Sequence, residues 1–158
     1  TPMNKANAPE GKPALYAGNV TYMDHLVGKL VAAVDELGLK ERTLIVFTGD
    51  NGSASSGTLN GEPYPKGKGR QADWGVHVPF IVRAPFLNKG GVVSRELIDF
   101  TDLYPTFLDL AGVTPPKTLK LDGKSFVPSL RGDEDPFKKR SWIYSQIGDF
   151  VLDRTLPR

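Results

Sequence analysis

One short segment gives the strongest indication of fold class: Thr43-Leu44-Ile45-Val46-Phe47-Thr48-Gly49-Asp50-Asn51-Gly52. Its first six residues are a continuous run rich in β-branched and apolar side chains, typical of a strand buried on both faces of a parallel sheet. The run ends at Gly49, and polar residues follow at once. Ligands of open α/β sheets gather at the carboxyl ends of strands, so Asp50 and Asn51 lie where a site would be built.

An amphipathic helix precedes this strand. Its apolar residues recur at alternating spacings of four and three: Tyr16, Val20, Met23, Val27, Leu30, Val34 and Leu37. This spacing predicts one apolar helix face, and Gly38 suits a left-handed C-terminal cap. A helix that leads into a buried strand indicates an α/β fold, with a mixed or mainly parallel sheet flanked by helices.

The chain after this strand changes composition. Residues 49–75 are rich in Gly, Ser, Pro, Asn and Lys, which predicts a long loop of the kind that is often functional. A second strand is predicted over 78–82, with Pro79 near its start. A late strand is predicted over 141–147, and Lys138-Lys139-Arg140 before it is interpreted as a solvated strand entry.

A second helix is predicted between these strands, over residues 98–111. Thr101 or Asp102 would serve as its N-cap, and Gly112 would end it. Residues 113–136 are expected to consist mostly of turns.

Composition excludes several classes of protein. The chain has 158 residues, a net charge of +2, 39% hydrophobic residues and no cysteine. Disulfide scaffolds, cysteine-ligated metals and a cysteine nucleophile are therefore excluded. The near-neutral charge does not indicate a basic surface that would bind nucleic acid. No apolar run reaches the ~18 residues of a membrane span. Residues 1–158 are expected to be a single domain or a fragment of a longer protein.

The Asp50-Asn51 pair is a candidate metal site. A carboxylate next to an amide carbonyl offers two hard oxygen ligands, which suit Ca²⁺ or Mg²⁺ better than zinc or iron. The alternative is a plain tight turn, because Asn-Gly is a common turn dipeptide.

The second candidate is an anion site in the segment Lys66-Gly67-Lys68-Gly69-Arg70. Glycines beside the lysines let backbone and ammonium groups approach an anion closely, and the loop is expected to return to the sheet end that carries Asp50. The segment is not a P-loop, because the required spacing of glycine and lysine fails. A solvated basic loop is the alternative.

Taken together, these segments resemble the sulfatase family within the alkaline phosphatase superfamily. Asp50-Asn51-Gly52 is similar to the family's calcium-binding motif, and Lys68-Gly69 with Asp73, running into Val78-Pro79, is similar to its sulfate-binding stretch. Residues 97–113 look like its helix that ends in Ala-Gly, and residues 122–126 resemble its Asp-Gly-x-Ser turn. The resemblance covers roughly residues 15–131.

This resemblance implies roles for four residues. Asp50 and Asn51 would bind calcium, with magnesium as an alternative, and Lys68 would contact the sulfate. His77 stands where many members have arginine, as in a subgroup with Asp-x-Gly-x-His. It would contact the substrate or orient the loop.

The resemblance also implies what lies outside this chain. The family's nucleophile is a formylglycine made in a Cys/Ser-x-Pro-x-Arg motif, which these residues lack, so the chain is expected to be the C-terminal part of a sulfatase and inactive alone. Substrates would be sulfated small molecules or saccharides, and the compartment periplasmic, secreted or lysosomal. The alternatives are a phosphate or phosphonate hydrolase of the same superfamily and a non-catalytic anion-binding pseudoenzyme. The oligomeric state is left open.

Overall fold

The computed structural model describes residues 12–88, 90–133 and 140–146. Residues 1–11, Lys138-Lys139 and the predicted strand end at Ile147 lie outside the described residues. The described part divides into two compact units. One comprises residues within Thr1–Ile45 and Val82–Phe86, and the other comprises residues within Val46–Ile81 and Leu87–Arg158.

The first unit is built on helix α1, Lys12–Glu36, which confirms the helix predicted from the apolar stripe. The helix ends as predicted at Gly38, whose φ is +67°. The Gly38 amide donates to the Asp35 carbonyl and the Leu39 amide to the Val34 carbonyl, each at 3.0 Å. These two bonds form a Schellman cap. A 3-10 turn at Lys40–Arg42 follows.

An ion pair also fastens α1 within this unit. The Arg83 guanidinium donates to both carboxylate oxygens of Asp35, at 2.7 and 2.9 Å. A bidentate pair of this kind fixes direction as well as distance, so the end of α1 is held against the segment that contains Arg83.

Two short sheets follow along the chain. Strands β1, Ile45–Thr48, and β4, Phe80–Arg83, are neighbours in one of them. Both were predicted, but β1 begins two residues later than expected, and its four residues are half-buried and not fully buried. The predicted 49–75 loop contains the second sheet, an antiparallel hairpin of β2, Gly57–Leu59, and β3, Glu62–Tyr64.

The hairpin turns through Asn60-Gly61, whose φ angles are +54° and +84°. Both residues therefore occupy the left-handed region that a two-residue type I′ turn requires. The prediction of one long loop was wrong over this stretch.

The second unit has a small core beneath two helices. Helix α3, Leu103–Leu110, follows a 3-10 turn at Phe100–Asp102, which confirms the helix predicted over 98–111. Helix α4, Val127–Arg131, was not predicted in a region expected to be turns. Phe126 and Val127 are fully buried, and the rings of Phe126 and Phe80 meet edge to face with centroids 5.7 Å apart.

The capping of the 98–111 segment differs from the prediction. The side chain of Asp99, and not of Thr101 or Asp102, accepts a hydrogen bond from a backbone amide of the first turn, that of Thr101, at 2.6 Å. Asp102 instead accepts from the Asp99 amide at 2.8 Å, which completes a capping box.

Residues 140–146 form neither helix nor strand, so the strand predicted from Ser141 is wrong over its described part. Trp142 and Tyr144 are nevertheless more exposed than Ile143 between them. Within the described residues, none of the helices is sufficiently long and apolar to span a bilayer.

Candidate functional site

The turn that follows β1 carries the two candidate metal ligands. Its ends are bonded to the segment that precedes β4: the Gly49 amide donates to the Pro79 carbonyl at 3.3 Å, and the Gly52 amide to the Gly75 carbonyl at 2.9 Å. Asp50 is exposed and Asn51 is half-buried. The turn therefore holds both residues at the end of β1, with its backbone fixed on either side of them.

Hydrogen bonds orient these two side chains. The backbone N–H of Asn51 donates to Asp50 Oδ1 at 2.9 Å, and the side-chain nitrogen Nδ2 of Asn51 donates to the Gly52 carbonyl at 3.0 Å. Because Nδ2 of Asn51 is used in this hydrogen bond, the side-chain oxygen Oδ1 is the atom that can bind a metal ion. A carboxylate and an amide oxygen fit a hard divalent cation.

These donors make only part of a coordination shell. Calcium takes about six to eight oxygen ligands, and Asp50 with Asn51 accounts for two residues. Across residues 12–88, 90–133 and 140–146, no group of three or more His, Asp or Glu side chains is placed to hold a metal ion. The donor set fits Ca²⁺ or Mg²⁺ in kind but needs further ligands.

Three glycines bring the site segments together. A Cβ atom added to Gly52 would lie 2.0 Å from the Trp74 carbonyl oxygen, and one added to Gly67 would lie 1.7 Å from the same atom. A Cβ on Gly75 would lie 2.0 Å from the Arg70 carbonyl oxygen. Backbone therefore packs directly on backbone, and only glycine permits this approach. We call Gly52, Gly67 and Gly75 the glycine contact.

Lys68 is positioned by this packing. It lies in the lysine loop, residues 66–71, where the amides of Gly67 and Lys68 both donate to the Ser53 carbonyl at 3.0 Å. The Arg70 amide donates to the Gly67 carbonyl at 2.9 Å, which closes a tight turn. The side chain of Lys68 is exposed. As predicted, the lysine loop is joined to the turn that carries Asp50.

His77 lies at the end of the short helix α2, Asp73–Val76. Its backbone amide donates to the Asp73 carbonyl at 2.8 Å, and its Nδ1 lies 3.4 Å from Asp73 Oδ1. Both side chains are about three-quarters exposed, at 77% and 75%. A contact between side chains this exposed contributes little to stability.

A buried carboxylate in the same unit was predicted only as an N-cap. Asp102 is fully buried and accepts hydrogen bonds from the backbone amide of Lys124 at 2.8 Å and from Arg140 Nη2 at 2.8 Å. Burial alone would raise the pKa of Asp102. The hydrogen bonds from Arg140 and from the Asp99 and Lys124 amides outweigh burial and hold the pKa below its ordinary value.

The interpretation of Arg140 as part of a solvated strand entry was wrong. Its guanidinium also donates through Nη1 to Asp102 Oδ2 at 2.5 Å, and its side chain is only 16% exposed. The carboxylate of Asp102 raises the pKa of Arg140. Because 38 residues separate the partners, a local charge pattern could not reveal the pair.

Gln71 is a further residue that the sequence analysis missed. Its side-chain Nε2 donates to the Ser145 carbonyl at 3.0 Å. The lysine loop is thereby tied to the segment 140–146. No local sequence signal marks this bond, because its partners are 74 residues apart.

Known proteins resemble this chain over most of its length. The sequence model of the Sulfatase family matches residues 3–113. Steryl-sulfatase of Mus musculus is 37% identical over 131 residues, which are 75% of this chain and 20% of that protein. N-acetylgalactosamine-6-sulfatase of Canis lupus familiaris is 34% identical over 146 residues, 89% of this chain and 27% of that protein.

A solved sulfatase structure also resembles this chain. The PsFucS1 sulfatase from Pseudoalteromonas sp. superposes with a TM-score of 0.66 at 33% identity, over 85% of this chain and 28% of that chain. The predicted α/β fold class, that of a partial sulfatase fold, is thereby confirmed. The chain spans less than a third of the length of each of these relatives. It belongs to the sulfatase family.

Proposed function

We propose that this chain supplies part of the active site of a sulfuric ester hydrolase. One observation carries the proposal. The glycine contact joins the turn that carries Asp50-Asn51 to the lysine loop, backbone against backbone, in a member of the sulfatase family. A cation ligand pair and an exposed lysine are thereby held on the same small framework.

In this proposal Lys68 binds the sulfate group. Its ammonium neutralises sulfate oxygens as negative charge moves toward the leaving oxygen, and the turn closed between Gly67 and Arg70 fixes the backbone from which this side chain extends. A preorganised cation needs little rearrangement during the reaction, which is why its position matters as much as its charge.

Asp50 and Asn51 are proposed to hold Ca²⁺, or Mg²⁺, through one carboxylate and one amide oxygen. The bound cation would supply positive charge that polarises the sulfate. The bond from the Asn51 amide N–H to Asp50 Oδ1 orients the carboxylate for this task. The remaining ligands are proposed to come from outside this chain.

His77 is proposed to contact the substrate, with Asp73 orienting its ring. The imidazole is exposed, so the substrate and the rest of the protein can reach it. A histidine that donates to a sulfate or leaving-group oxygen would act as a hydrogen-bond donor or a proton source.

The whole protein is proposed to use a formylglycine outside this chain, which supplies the nucleophile, and this chain alone is proposed to be inactive. Its substrate is proposed to be a sulfated small molecule or saccharide, in keeping with the sterol and N-acetylgalactosamine in the names of two relatives. An extracytoplasmic location is proposed on family grounds.

The test is a paired assay of the full-length protein. Hydrolysis of an aryl sulfate and of the matching aryl phosphate is measured, and tandem mass spectrometry searches the whole chain for an aldehyde-bearing residue in a Cys/Ser-x-Pro-x-Arg context. Sulfate turnover with the aldehyde supports the proposal. Phosphate turnover with an unmodified Ser or Thr nucleophile would replace it with phosphoryl chemistry, and neither activity would leave an anion-binding protein.

A further inference from the structure

Residues 140–146 present an aromatic face. Trp142 and Tyr144 are 71% and 70% exposed, whereas Ile143 between them is 40% exposed. The Tyr144 hydroxyl donates to Gln146 Oε1 at 2.9 Å, so these two side chains lie on the same side. The two exposed rings, separated by the less exposed Ile143, form the accessible aromatic face of this segment. We call this face the aromatic wall.

Both ends of the segment are fastened. At one end Arg140 is bonded to the fully buried Asp102. At the other end the Ser145 carbonyl accepts a hydrogen bond from Gln71 of the lysine loop. Gln71 is three residues beyond Lys68, at most about 11 Å along the chain. The aromatic wall is thus attached to the element that carries the proposed sulfate ligand.

The chemistry of these neighbours specifies what the wall would recognise. The lysine loop presents three exposed cations, Lys66, Lys68 and Arg70, which favour an anion. Exposed Trp and Tyr rings offer flat apolar faces with a polar edge, and such rings bind other flat apolar faces at little cost in side-chain entropy. A ligand that binds both the lysine loop and the aromatic wall carries an anionic group on a ring.

We infer that Trp142 and Tyr144 are specificity residues that stack on the ring of the sulfated substrate while Lys68 binds its sulfate. The inference rests on the proposed function and extends it to the part of the substrate that does not react. The ring can be aromatic or a sugar, since both present an apolar face.

The experiment uses the full-length enzyme with Trp142→Ala and Tyr144→Ala. KM is measured for an aryl sulfate and for a monosaccharide sulfate, together with the inhibition constant of inorganic sulfate, which has no ring. Loss of one stacking ring is expected to raise KM about three- to tenfold for the ring that the enzyme uses, while inhibition by inorganic sulfate stays unchanged. The substrate whose KM responds identifies the ring.

The matched control is Tyr104→Ala. Tyr104 is also an exposed aromatic residue, at 53%, but it lies on α3 and outside the segment 140–146. It is expected to leave both constants unchanged. A second variant, Gln71→Met, keeps the side-chain length but cannot donate to Ser145, and it is expected to raise KM in the same direction as Trp142→Ala.

Three results would overturn the inference. KM could stay unchanged in both aromatic variants, or KM and the inhibition constant of inorganic sulfate could rise together, which would indicate a loosened lysine loop. A lower melting temperature without a change in KM would show that the aromatic rings pack against other parts of the protein. In each of these cases the unaltered enzyme still hydrolyses sulfate esters. Absence of turnover in the unaltered enzyme would instead overturn the proposed function as well.

Discussion

Two polar regions of the second unit use charged side chains in opposite ways. Around the glycine contact, Asp50, Lys68 and His77 are exposed. The Asp50 carboxylate accepts one hydrogen bond, from the Asn51 backbone N–H, and the hydrogen bonds that hold Lys68 and His77 are made by backbone atoms. Around Asp102 the side chain itself is fully buried and accepts hydrogen bonds from two backbone amides and a guanidinium. One region leaves its side chains available, and the other uses its side chain for structure.

The difference gives a physical criterion for separating functional from structural polar residues. A carboxylate whose oxygens already accept several hydrogen bonds has little capacity left for a metal or a substrate, and removing it leaves partners without their acceptor. A side chain held only through its backbone can be changed with little effect on folding. The pKa of Asp102 is lowered by its hydrogen bonds to Arg140 and to two backbone amides, so a shifted pKa can come from a structural role.

Asp102→Ala is expected to have the largest effect, and the effect should be on stability. The substitution leaves the largely buried Arg140 guanidinium without this carboxylate, so the free energy of unfolding should fall by about 3–5 kcal/mol. Thermal and urea unfolding of the full-length protein measure it. The control is Asp122→Ala, an exposed acid in the turn beside Lys124, which should change stability by less than about 0.5 kcal/mol. Equal losses of unfolding free energy in Asp102→Ala and Asp122→Ala would show that the buried pair of Asp102 and Arg140 does not stabilise the fold.

The same carboxylate gives a pH dependence. Because the folded protein holds the pKa of Asp102 below its ordinary value of 3.8, the stabilisation by the ionised form is complete above that pH. It is lost as the pH falls below 3.8 and through the lowered pKa. The unfolding free energy of Asp102→Asn should therefore fall less steeply in this acid range than that of the unaltered protein. Parallel curves would contradict the assignment.

Lys68→Ala is expected to show the reverse, a loss of turnover without a loss of stability. Removing one preorganised charge from the sulfate should lower kcat about 10²-fold or more, equivalent to about 2.7 kcal/mol or more. The melting temperature should stay close to that of the unaltered enzyme, because the Lys68 side chain is exposed. Lys66→Ala, an exposed lysine of the same loop, is the control and should retain most activity. Similar losses in both variants would indicate a general basic surface.

The sequence predicted the elements with strong local signals. Helix α1, both strands of the β1–β4 sheet and the 98–111 helix follow from periodicity, β-branched runs and caps. The β2–β3 hairpin was missed although Asn60-Gly61 is a turn signal, because Glu62 and Pro63 are poor strand formers within a polar segment. Helix α4 has five residues, too few to show a period.

The candidate site was predicted only where local motifs mark its residues. The position after a predicted strand identified Asp50 and Asn51, and the glycine-flanked lysines together with the sulfatase resemblance identified Lys68. The expectation that both loops meet at one sheet end is supported by the bonds to Ser53 and Gly75. The roles of these residues remain predictions. Gln71 and Arg140 were missed because their partners are distant in sequence. Such pairings depend on tertiary approach, which periodicity does not encode.

Gly67→Ala tests the glycine contact itself and is expected to have a smaller effect on stability than Asp102→Ala and a smaller effect on kcat than Lys68→Ala. The added Cβ would lie 1.7 Å from the Trp74 carbonyl oxygen, so the lysine loop must shift away from the turn that carries Asp50. We expect a loss of about 1–3 kcal/mol in stability, typical of overpacking, and a fall in kcat of about tenfold as Lys68 moves. Gly57→Ala is the control, because a Cβ there meets no atom within 4 Å. If Gly67→Ala lost stability but kept full kcat, the backbone contact would serve folding alone, and Lys68 would not depend on it for position.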